Sequence, residues 1–334
     1  MSKICAALAL GLSISSVQAA DVIVRLHQPL SAKSVLSGFS KVEALIPDLN
    51  IYLISDSVKG ADAASSVARA RALPSVKHAM ANEVMQLRAN TPNDANWTQQ
   101  WSMKKIQAPE AWDAGAGGAN SDREDIVVAV VDGGSDPTHD DLKNNAWINT
   151  AEIPNNKIDD DKNGYVDDIS GWNGYDDTAN VPKNMHATHV AGIVGAEGNN
   201  GKFVAGVNWN VKIMSIAASS GESAIVLRGY NYVLKQKKIW IESKGRAGAN
   251  VVSTNSSFGV DGAECMSDRY KIWNDIYEEM GKSGILSAAA TANQAWDIDR
   301  TGDVPTSCTT EYLVAVTNTT IDDKLYSSAG WGKK

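Results

Sequence analysis

The sequence predicts an α/β fold in which a parallel sheet is flanked by helices on both faces and is preceded by a small α+β unit. Two observations support this prediction. Short apolar stretches recur through the later part of the 334-residue chain, and stretches with apolar residues at helical spacing separate them. Continuous apolar runs are typical of strands buried on both faces, and strands that alternate with helices form parallel sheets. The chain is long enough for two domains and a sizeable core.

Residues 1–19 have the pattern of a secretory signal peptide. Lys3 precedes an apolar run at residues 4–12, and small residues follow up to Ala19. A short charged start, an apolar centre and an A-x-A-like end are the parts of such a signal. We therefore predict export to the periplasm or the extracellular space, with a first buried helix as the alternative. No other stretch approaches the roughly 20 apolar residues that cross a bilayer, so we expect no membrane contact after cleavage.

Residues 20–90 predict a small α+β domain. Alternating apolar residues indicate three strands, and helix-like stretches lie between the first two and after the second. The predicted strands and the later helix are 21–26, 51–54, 75–80 and 61–73. The polar segment 88–96, with Pro92 and several asparagines, predicts a linker. We therefore place the larger domain at residues 91–334.

In the larger domain, five apolar stretches predict the strands of the parallel sheet. They are 126–131, 211–217, 251–254, 285–290 and 313–316. Helical spacing is carried by Val226, Leu227, Tyr230, Val233, Leu234, Trp273, Ile276, Tyr277 and Met280. Ligands of such sheets bind beyond the carboxyl ends of the strands. Asp132 and Asn293 follow strands in this way, although polar residues at these places can also be plain turn formers.

Charge and cysteine content narrow the environment and the partners. The net charge of −8 argues against nucleic acid as a partner. Cys5 lies within the predicted signal, which leaves Cys265 and Cys308 in the exported protein. An even pair in an oxidising compartment predicts a disulfide, with two buried free thiols as the alternative.

Asp132 is the first candidate catalytic residue. It follows six apolar residues and precedes Gly133-Gly134. A carboxylate at this point is partly buried yet still faces a neighbouring element, as an aspartate must if it is to orient a histidine and stabilise its imidazolium. The alternatives are a helix N-cap and a dinucleotide-binding loop. No G-x-G-x-x-G motif follows the strand, which disfavours the loop.

His186 is the second candidate, and it opens a predicted helix. Apolar residues at spacing i, i+3 and i+4 predict the inner face of this helix as Val190, Ile193 and Val194. A histidine in the first turn of such a helix is held rigidly and can reach a group across the sheet. His189 lies three residues on, but the H-E-x-x-H glutamate and spacing of zinc sites are missing, so we interpret it as a packed structural histidine. Asp132 and His186 thus form the base half of a Ser-His-Asp hydrolase.

The motifs around these two residues resemble those of secreted subtilisin-like serine proteases, the subtilase family, in proenzyme form. The family's Asp-Thr-Gly and Thr-His-Pro-Asp-Leu resemble residues 132–134 and 138–142, and its His-Gly-Thr-His-Val-Ala-Gly resembles residues 186–192. The family's Asn-x-Ser-x-Gly resembles residues 255–259. The family's Ala-Ala-Gly-Asn, which follows a strand, resembles residues 289–293, Ala-Ala-Thr-Ala-Asn. The resemblance covers about residues 95–334, in the family's order of Asp before His.

The resemblance implies a secreted endopeptidase that acts on protein or peptide substrates. In it, Asp132 orients His186, which acts as the base, and Asn293 donates a hydrogen bond to the oxyanion. The substrate-binding segment consists of Ser257, Phe258 and Gly259. Residues 20–90 resemble the family's inhibitory propeptide more weakly. The propeptide is then a further partner, which assists folding, caps the cleft and is cut away within 88–96.

The chain departs from the family pattern at several positions. Gly133 replaces a threonine, Ala187 a glycine, and Ala292 the glycine beside the oxyanion asparagine, while the reactive side chains are kept. A glycine position with φ > 0 would disfavour the alanine. The nucleophile motif Gly-Thr-Ser-Met-Ala does not occur in the 334 residues. We therefore expect the catalytic serine beyond Lys334 and expect these 334 residues alone to be inactive.

Two other functions remain as alternatives. A secreted, non-catalytic pseudoprotease would use the fold and a calcium loop as a binding module. A nucleotide-binding α/β protein is disfavoured by the signal peptide and by the missing phosphate loop.

The segment 159–168 predicts a calcium loop. Oxygen-bearing residues alternate and Gly164 stands at the turn, as in an EF-hand loop. The predicted ligands are Asp159, Asp161, Asn163, Tyr165, Asp167 and Asp168. Ser170 stands where that loop has its glutamate, so the last ligand must come from Asp167, Asp168 or elsewhere. A solvated acidic loop is the alternative, whereas the resemblance implies structural Ca²⁺ and no organic cofactor.

Overall fold

A computed structural model describes residues 21–29, 36, 38–58, 60–83, 90–119 and 124–333. The predicted signal peptide, including Cys5, and the start of the predicted linker lie outside the described residues. The chain divides into two compact units, Met1–Leu87 and Arg88–Lys334.

The smaller unit is a four-stranded antiparallel sheet with one described helix. Its strands are β1 (Asp21–Leu26), β2 (Phe39–Ile46), β3 (Ile51–Asp56) and β4 (Val76–Ala81), in the order β2-β3-β1-β4, and its helix is α1 (Ala63–Arg71). Alternate residues of β1, among them Val22 and Val24, are fully buried and pack with Ile54 and Ala70. This alternation is what a sheet with one covered face requires.

Strand β2 was not predicted from the sequence, which indicated a helix-like stretch in that interval. Most of its residues are exposed. An edge strand with few buried residues gives no apolar alternation, so the sequence pattern carried no strand signal there.

The larger unit contains a six-stranded parallel sheet flanked by helices, which confirms the predicted fold class. Its strands are β5 (Val127–Asp132), β6 (Gly171–Asn173), β7 (Lys212–Ala217), β8 (Val251–Ser256), β10 (Leu286–Ala290) and β12 (Leu313–Val316), in the order β12-β10-β8-β5-β7-β6. A separate two-stranded ribbon pairs β9 (Val260–Asp261) with β11 (Asp303–Val304). Five of the six parallel strands were predicted, and β6, with three residues, was not.

Helices of the larger unit lie against both faces of the parallel sheet. The helices are α2 (Trp101–Lys105), α3 (Ala108–Ala114), α4 (Met185–Gly195), α5 (Ser223–Ser243), α6 (Lys271–Lys282) and α7 (Ile298–Thr301), and of these α4, α5 and α6 pack on the sheet. In β5, Ala129 shares a core with Tyr230 of α5, whereas the next residue, Val130, shares a different core with Ala191 of α4. Successive strand residues point to opposite faces, so α4 and α5 cover opposite sides.

Cys265 and Cys308 are joined by a disulfide that ties the segments after β9 and β11 together. The short ribbon is therefore fixed covalently as well as by its hydrogen bonds. Within the described part of the chain, no helix has the length and apolar character needed to span a bilayer.

Candidate active site

Asp132 and His186 face each other at the carboxyl edge of the parallel sheet, which we define as the ends of β5, β8 and β10. Asp132 is the last residue of β5 and is buried. His186 lies in the first turn of α4, and its Nδ1 is 3.0 Å from Oδ1 and 2.8 Å from Oδ2 of Asp132. The strand end and the helix start thus bring together two residues that are 54 positions apart in sequence.

Small residues allow the strand end and the helix start to approach this closely. Gly134 has φ +91°, and a Cβ there would lie 2.3 Å from the carbonyl oxygen of Pro182. A Cβ on Gly133 would lie 2.8 Å from the side chain of Asn184. Asn184 is the N-cap of α4, and its side chain accepts a hydrogen bond from the Ala187 backbone N–H. The absence of side chains at 133 and 134 therefore lets the cap of α4 lie beside Asp132.

An ionic contact also ties the two segments together. Lys183 Nζ, just before α4, lies 2.9 Å from Oδ1 of Asp136, which follows β5. The same carboxylate oxygen accepts hydrogen bonds from the backbone N–H and the hydroxyl of Thr138. Burial alone would raise the pKa of Asp136, but the hydrogen bonds from Lys183 and Thr138 outweigh it and lower the pKa to about 2.

The other nitrogen of His186 is free for chemistry. The side chain is 62% exposed, whereas that of Asp132 is 4% exposed. Among the residues that the structure describes, none hydrogen-bonds Nε2 of His186. A carboxylate that holds Nδ1–H leaves Nε2 as the unprotonated nitrogen, which can accept a proton from a nucleophile in front of it. The arrangement is that of a general base with its orienting acid.

The predicted substrate-binding residues and Asn293 line one small cavity at this edge. Ser257, Phe258 and Gly259 follow β8, and Asn293 follows β10, the next strand in the sheet. Asn293 is exposed, and no other described residue holds its side-chain amide. An amide in this position is available as a hydrogen-bond donor to a bound group.

The alanine beside Asn293 fits its backbone without strain. Ala292 is buried, and it is not one of the residues with positive φ. The concern that this position requires a glycine-like conformation does not apply. Its N–H donates to Oδ2 of Asp303 at 3.0 Å, so a buried carboxylate fixes the turn that carries Asn293.

The inner face of α4 agrees with the prediction in part, because Val190 and Val194 are half-buried and pack against the core, whereas Ile193 does not. Its buried residues are Ala187, Ala191 and Gly195, whereas Ile193 is 48% exposed. A Cβ on Gly195 would lie 2.6 Å from Val211, so the helix lies too close to its neighbours for larger side chains. The interpretation of His189 as a packed residue was also wrong, because it is exposed.

A second cluster of acids lies away from the sheet edge, in residues 149–168, which we call the acidic loop. Carboxylate oxygens of Glu152, Asp161 and Asp168 lie within 4.8 Å of one another. Glu152 was not among the predicted ligands, because it lies upstream of the motif and only the fold of the loop brings it there. Ser170 cannot supply the last carboxylate of the predicted loop, and Glu152 is positioned to supply it.

Two asparagine amides link the carboxylates of the acidic loop. Asn163 Nδ2 lies 3.1 Å from Asp161 and 3.0 Å from Asp168, and Asn149 Nδ2 lies 3.0 Å from each of them. Turning either amide by 180° would present its oxygen to the same space.

The structure does not place the other predicted ligands in this cluster. Asp159 accepts N–H groups from Asn163 and Gly164, and Asp167 accepts those of Asn156 and Lys157. The ring of Tyr165 packs edge-on against Trp172 and Tyr232.

Asp168 anchors the acidic loop in the core. It is fully buried, and besides the two asparagines it accepts hydrogen bonds from Tyr232 and Gln236 of α5. Burial raises the pKa of Asp168 to about 6, although the hydrogen bonds from Tyr232, Asn163 and Asn149 act in the opposite direction. The Oε1 atom of Gln236 is buried and accepts no hydrogen bond from any residue that the structure describes. Buried carboxylates beside an unpartnered oxygen form a donor set suited to a hard cation.

Comparison with known proteins gives a family match over most of the larger unit. A family model described as the subtilase family matches residues 123–333. Subtilisin-like protease 1 of Plasmodium vivax is 29% identical over 212 residues, covering 61% of this chain and 30% of that protein. The Major intracellular serine protease of Bacillus subtilis is 28% identical over 228 residues, covering 67% of this chain and 58% of that protein. The chain thus spans less than two thirds of the length of either relative.

Solved structures give similar matches at lower identity. A protease from Pseudoalteromonas arctica aligns with a TM-score of 0.49 and 22% identity, covering 72% of this chain and 70% of that chain. Fervidolysin from Fervidobacterium pennivorans, a keratinolytic enzyme related to subtilisin, aligns with a TM-score of 0.38 and 18% identity, covering 84% of this chain and 41% of that chain.

Proposed function

The chain belongs to the subtilase family of serine proteases, and from this premise we propose that it is the Asp-His part of a secreted endopeptidase. The observation that carries the proposal is the contact between Asp132 and Nδ1 of His186, whose side chain is otherwise largely exposed. A family match alone leaves open whether a chain is active. A correctly oriented acid–base pair supports activity.

In the proposed reaction, His186 Nε2 takes the proton of a serine hydroxyl as the hydroxyl attacks the scissile carbonyl. Asp132 holds the imidazole in one tautomer and stabilises the imidazolium that forms. Asn293 donates a hydrogen bond to the oxyanion of the tetrahedral intermediate, and the imidazolium then gives its proton to the leaving amine. The segment Ser257–Phe258–Gly259 would pair with extended substrate as an added strand.

The nucleophile is the missing part of this reaction. We propose that it is a serine in a segment beyond Lys334, carried by a longer form of the protein. The 334 residues alone would then bind peptide without cleaving it.

Reading the gene beyond codon 334 and expressing any longer form tests this proposal. A fluorophosphonate probe should label one serine beyond Lys334, and His186→Ala should prevent labelling. The same substitution should lower kcat by about 10⁴- to 10⁶-fold. The matched control is His189→Ala, an exposed histidine on the same helix, which should keep labelling. A stop codon directly after Lys334 would instead favour the non-catalytic binding module.

We further propose that the protein is exported and that the smaller unit is its propeptide. The pattern of residues 1–19 supports export, and the disulfide between Cys265 and Cys308 agrees with an oxidising compartment. N-terminal sequencing of secreted protein should find a first cut near Ala19 and a second within 88–96. A mature N-terminus that retains residues 1–19 would contradict export.

Calcium is the proposed ligand of the acidic loop. Glu152, Asp161 and Asp168 would supply carboxylate oxygens, and the amide oxygens of Asn149 and Asn163 are within reach after rotation. Calcium prefers such a set of six to eight hard oxygen ligands. Bound there, it would neutralise buried charge and fasten the loop to α5.

A further inference from the structure

Among the residues that the structure describes, two carboxylates and no positively charged side chain line the cavity beside Asn293. Asp303 and Asp261 lie on its wall, and its other lining residues are neutral: Ser257, Phe258, Gly259, Ala290, Thr291, Ala292 and Asn293. Asp303 is 1% exposed. A buried charge without a countercharge is costly, so this arrangement needs a physical explanation.

Asp303 uses only one of its two oxygens within the protein. Its Oδ2 accepts the N–H of Ala292 at 3.0 Å and the hydroxyl of Thr306. Its Oδ1 is buried and has no hydrogen-bond partner among the described residues. A Cβ on Gly259 would lie 3.2 Å from this oxygen, so Oδ1 faces the segment that is predicted to bind substrate. The carboxylate of Asp303 therefore lies in the cavity wall with one oxygen unpaired, against Gly259.

Asp261 places a second negative charge opposite the first. The two aspartates are directly paired across the antiparallel ribbon of β9 and β11. Like charges at paired positions destabilise a sheet. Asp261 has no ion pair with any described residue, and its charge contributes, after burial, to raising the pKa of Asp303. A bound cation would relieve this repulsion.

The position of the cavity identifies which substrate residue would occupy it. In the proposed reaction Asn293 holds the carbonyl oxygen of the residue on the amino side of the cleaved bond. The side chain of that residue starts one atom from the carbonyl carbon, so it extends into the space beside Asn293. The cavity, about 80 Å³, is far smaller than the roughly 300–1,000 Å³ of sites for whole small molecules, which suits a single side chain.

Resting on the proposed endopeptidase function, we propose that this cavity selects a lysine or arginine on the amino side of the cleaved bond, with Asp303 as the specificity-determining residue and Asp261 assisting. The cationic end would meet Oδ1 of Asp303 and remove the uncompensated charge. Charge-assisted hydrogen bonds of this kind are stronger than neutral ones. The disulfide between Cys265 and Cys308 would keep the two aspartates in register when the cavity is empty.

A pair of substrates tests the proposal without altering the protein. Peptides that differ only in arginine or its neutral isostere citrulline at that position are compared by kcat/KM with the longer, active form. We expect the arginine peptide to be cleaved about 10- to 100-fold better, as for a hydrogen bond to a charged group. Equal rates, or a preference for leucine or phenylalanine there, would overturn the proposal while leaving the endopeptidase function intact.

Three variants show which carboxylate causes the preference for arginine. Asp303→Asn should reduce the ratio of arginine to citrulline rates to near 1, and Asp261→Asn should reduce it by about 2- to 5-fold because this exposed residue is better screened. Asp275→Asn removes an exposed carboxylate of α6 outside the cavity and should leave the ratio unchanged. If Asp303→Asn does not fold, Asp261→Asn and the wild-type ratio of arginine to citrulline rates still show whether the cavity selects a cation.

Binding to the 334-residue chain separates this proposal from the proposed function. Agmatine carries a guanidinium on a short alkyl stem, and titration by NMR should show binding that Asp303→Asn weakens by at least about 10-fold. If no peptide is cleaved by any form but agmatine binds in this way, the endopeptidase proposal fails and the cation-selective cavity stands. If agmatine does not bind and arginine gives no advantage, the cavity proposal is wrong.

Discussion

The acidic loop and the carboxyl edge of the sheet both bury aspartates, but the two regions satisfy them differently. Asp168 in the loop accepts hydrogen bonds from four side chains, which use both of its oxygens. Within the described part of the chain, Asp303 at the edge has partners on one oxygen only. Burial raises the pKa of both groups. The chain supplies donors for both oxygens of the first and leaves one oxygen of the second, in the cavity wall, without a partner among the described residues.

This difference indicates what each region does. Where the protein's own donors hydrogen-bond a buried charge, a substitution of that residue lowers the free energy of unfolding. Where a donor or acceptor beside a cavity has no partner in the protein, a substitution of that residue weakens ligand binding or catalysis. We therefore expect changes in the acidic loop to alter stability with little effect on substrate choice, and changes at the carboxyl edge to do the opposite.

The largest effect among these tests is expected at Asn293. Asn293→Ala should lower kcat by about 10²- to 10³-fold, because the oxyanion loses a preorganised donor. KM and the melting temperature should change little, since Asn293 is exposed. Steady-state kinetics and calorimetry on the longer form check both expectations. Gln294→Ala, at the next exposed position, is the matched control and should stay near the wild-type rate. A kcat within a few-fold of wild type in Asn293→Ala would remove the oxyanion role.

Removing calcium should produce the next effect, on stability alone. With free Ca²⁺ at about 100 times its dissociation constant, binding adds about 2.7 kcal/mol to the free energy of unfolding. For a unit of this size that corresponds to about 5–10 °C in the melting temperature. A chelator should therefore lower the melting temperature by this amount, measured by calorimetry.

The variant Glu152→Gln assigns the calcium effect to the acidic loop. It should lose most of the chelator response, whereas Asp113→Asn, an exposed acid outside the loop, should keep it. An unchanged chelator response in Glu152→Gln would place the ion elsewhere in the protein. A chelator without effect on the wild type would reject calcium as a ligand.

The parallel sheet and the Asp132–His186 pair could be predicted because their signals are local. Buried strands such as β5 are continuous apolar runs, and a reactive residue at the end of one is visible in the sequence. Strands β2 and β6 were missed since one is largely exposed and the other has only three residues. Neither produces enough apolar periodicity to be recognised.

The missed site residues depend on contacts between distant segments. Glu152 joins Asp161 and Asp168 only because the acidic loop folds back on itself. Asp303 reaches the cavity through the ribbon that pairs it with Asp261, 42 positions earlier in the numbering. The inner face of α4 was predicted from its larger residues, and Val190 and Val194 do pack against the core, but close packing leaves only small residues fully buried: Ala187, Ala191 and Gly195. Tertiary proximity of this kind has no sequence pattern of its own.

Asp136 tests whether location or partnering decides, because it lies near the carboxyl edge and yet is paired with a cation, Lys183. Its pKa of about 2 lies below the ordinary 3.8, so the ionised form favours the folded state. The contribution is fully present above about pH 4 and is lost as the pH falls through about 3 to 2. Asp136→Asn should therefore lower the free energy of unfolding by about 1–2 kcal/mol at pH 7, after allowance for the exposed end of Lys183.

The same difference between Asp136→Asn and wild type should fall to about half near pH 3 and shrink in 1 M salt, as measured by urea unfolding. Asp113→Asn, whose carboxylate is exposed, is the control at each pH. In the longer form the variant should keep the wild-type preference between arginine and citrulline peptides. A change in that preference without a loss of stability would contradict this expectation. Proximity to the edge, and not the hydrogen bonds and ion pairs of a carboxylate, would then determine its role in this fold.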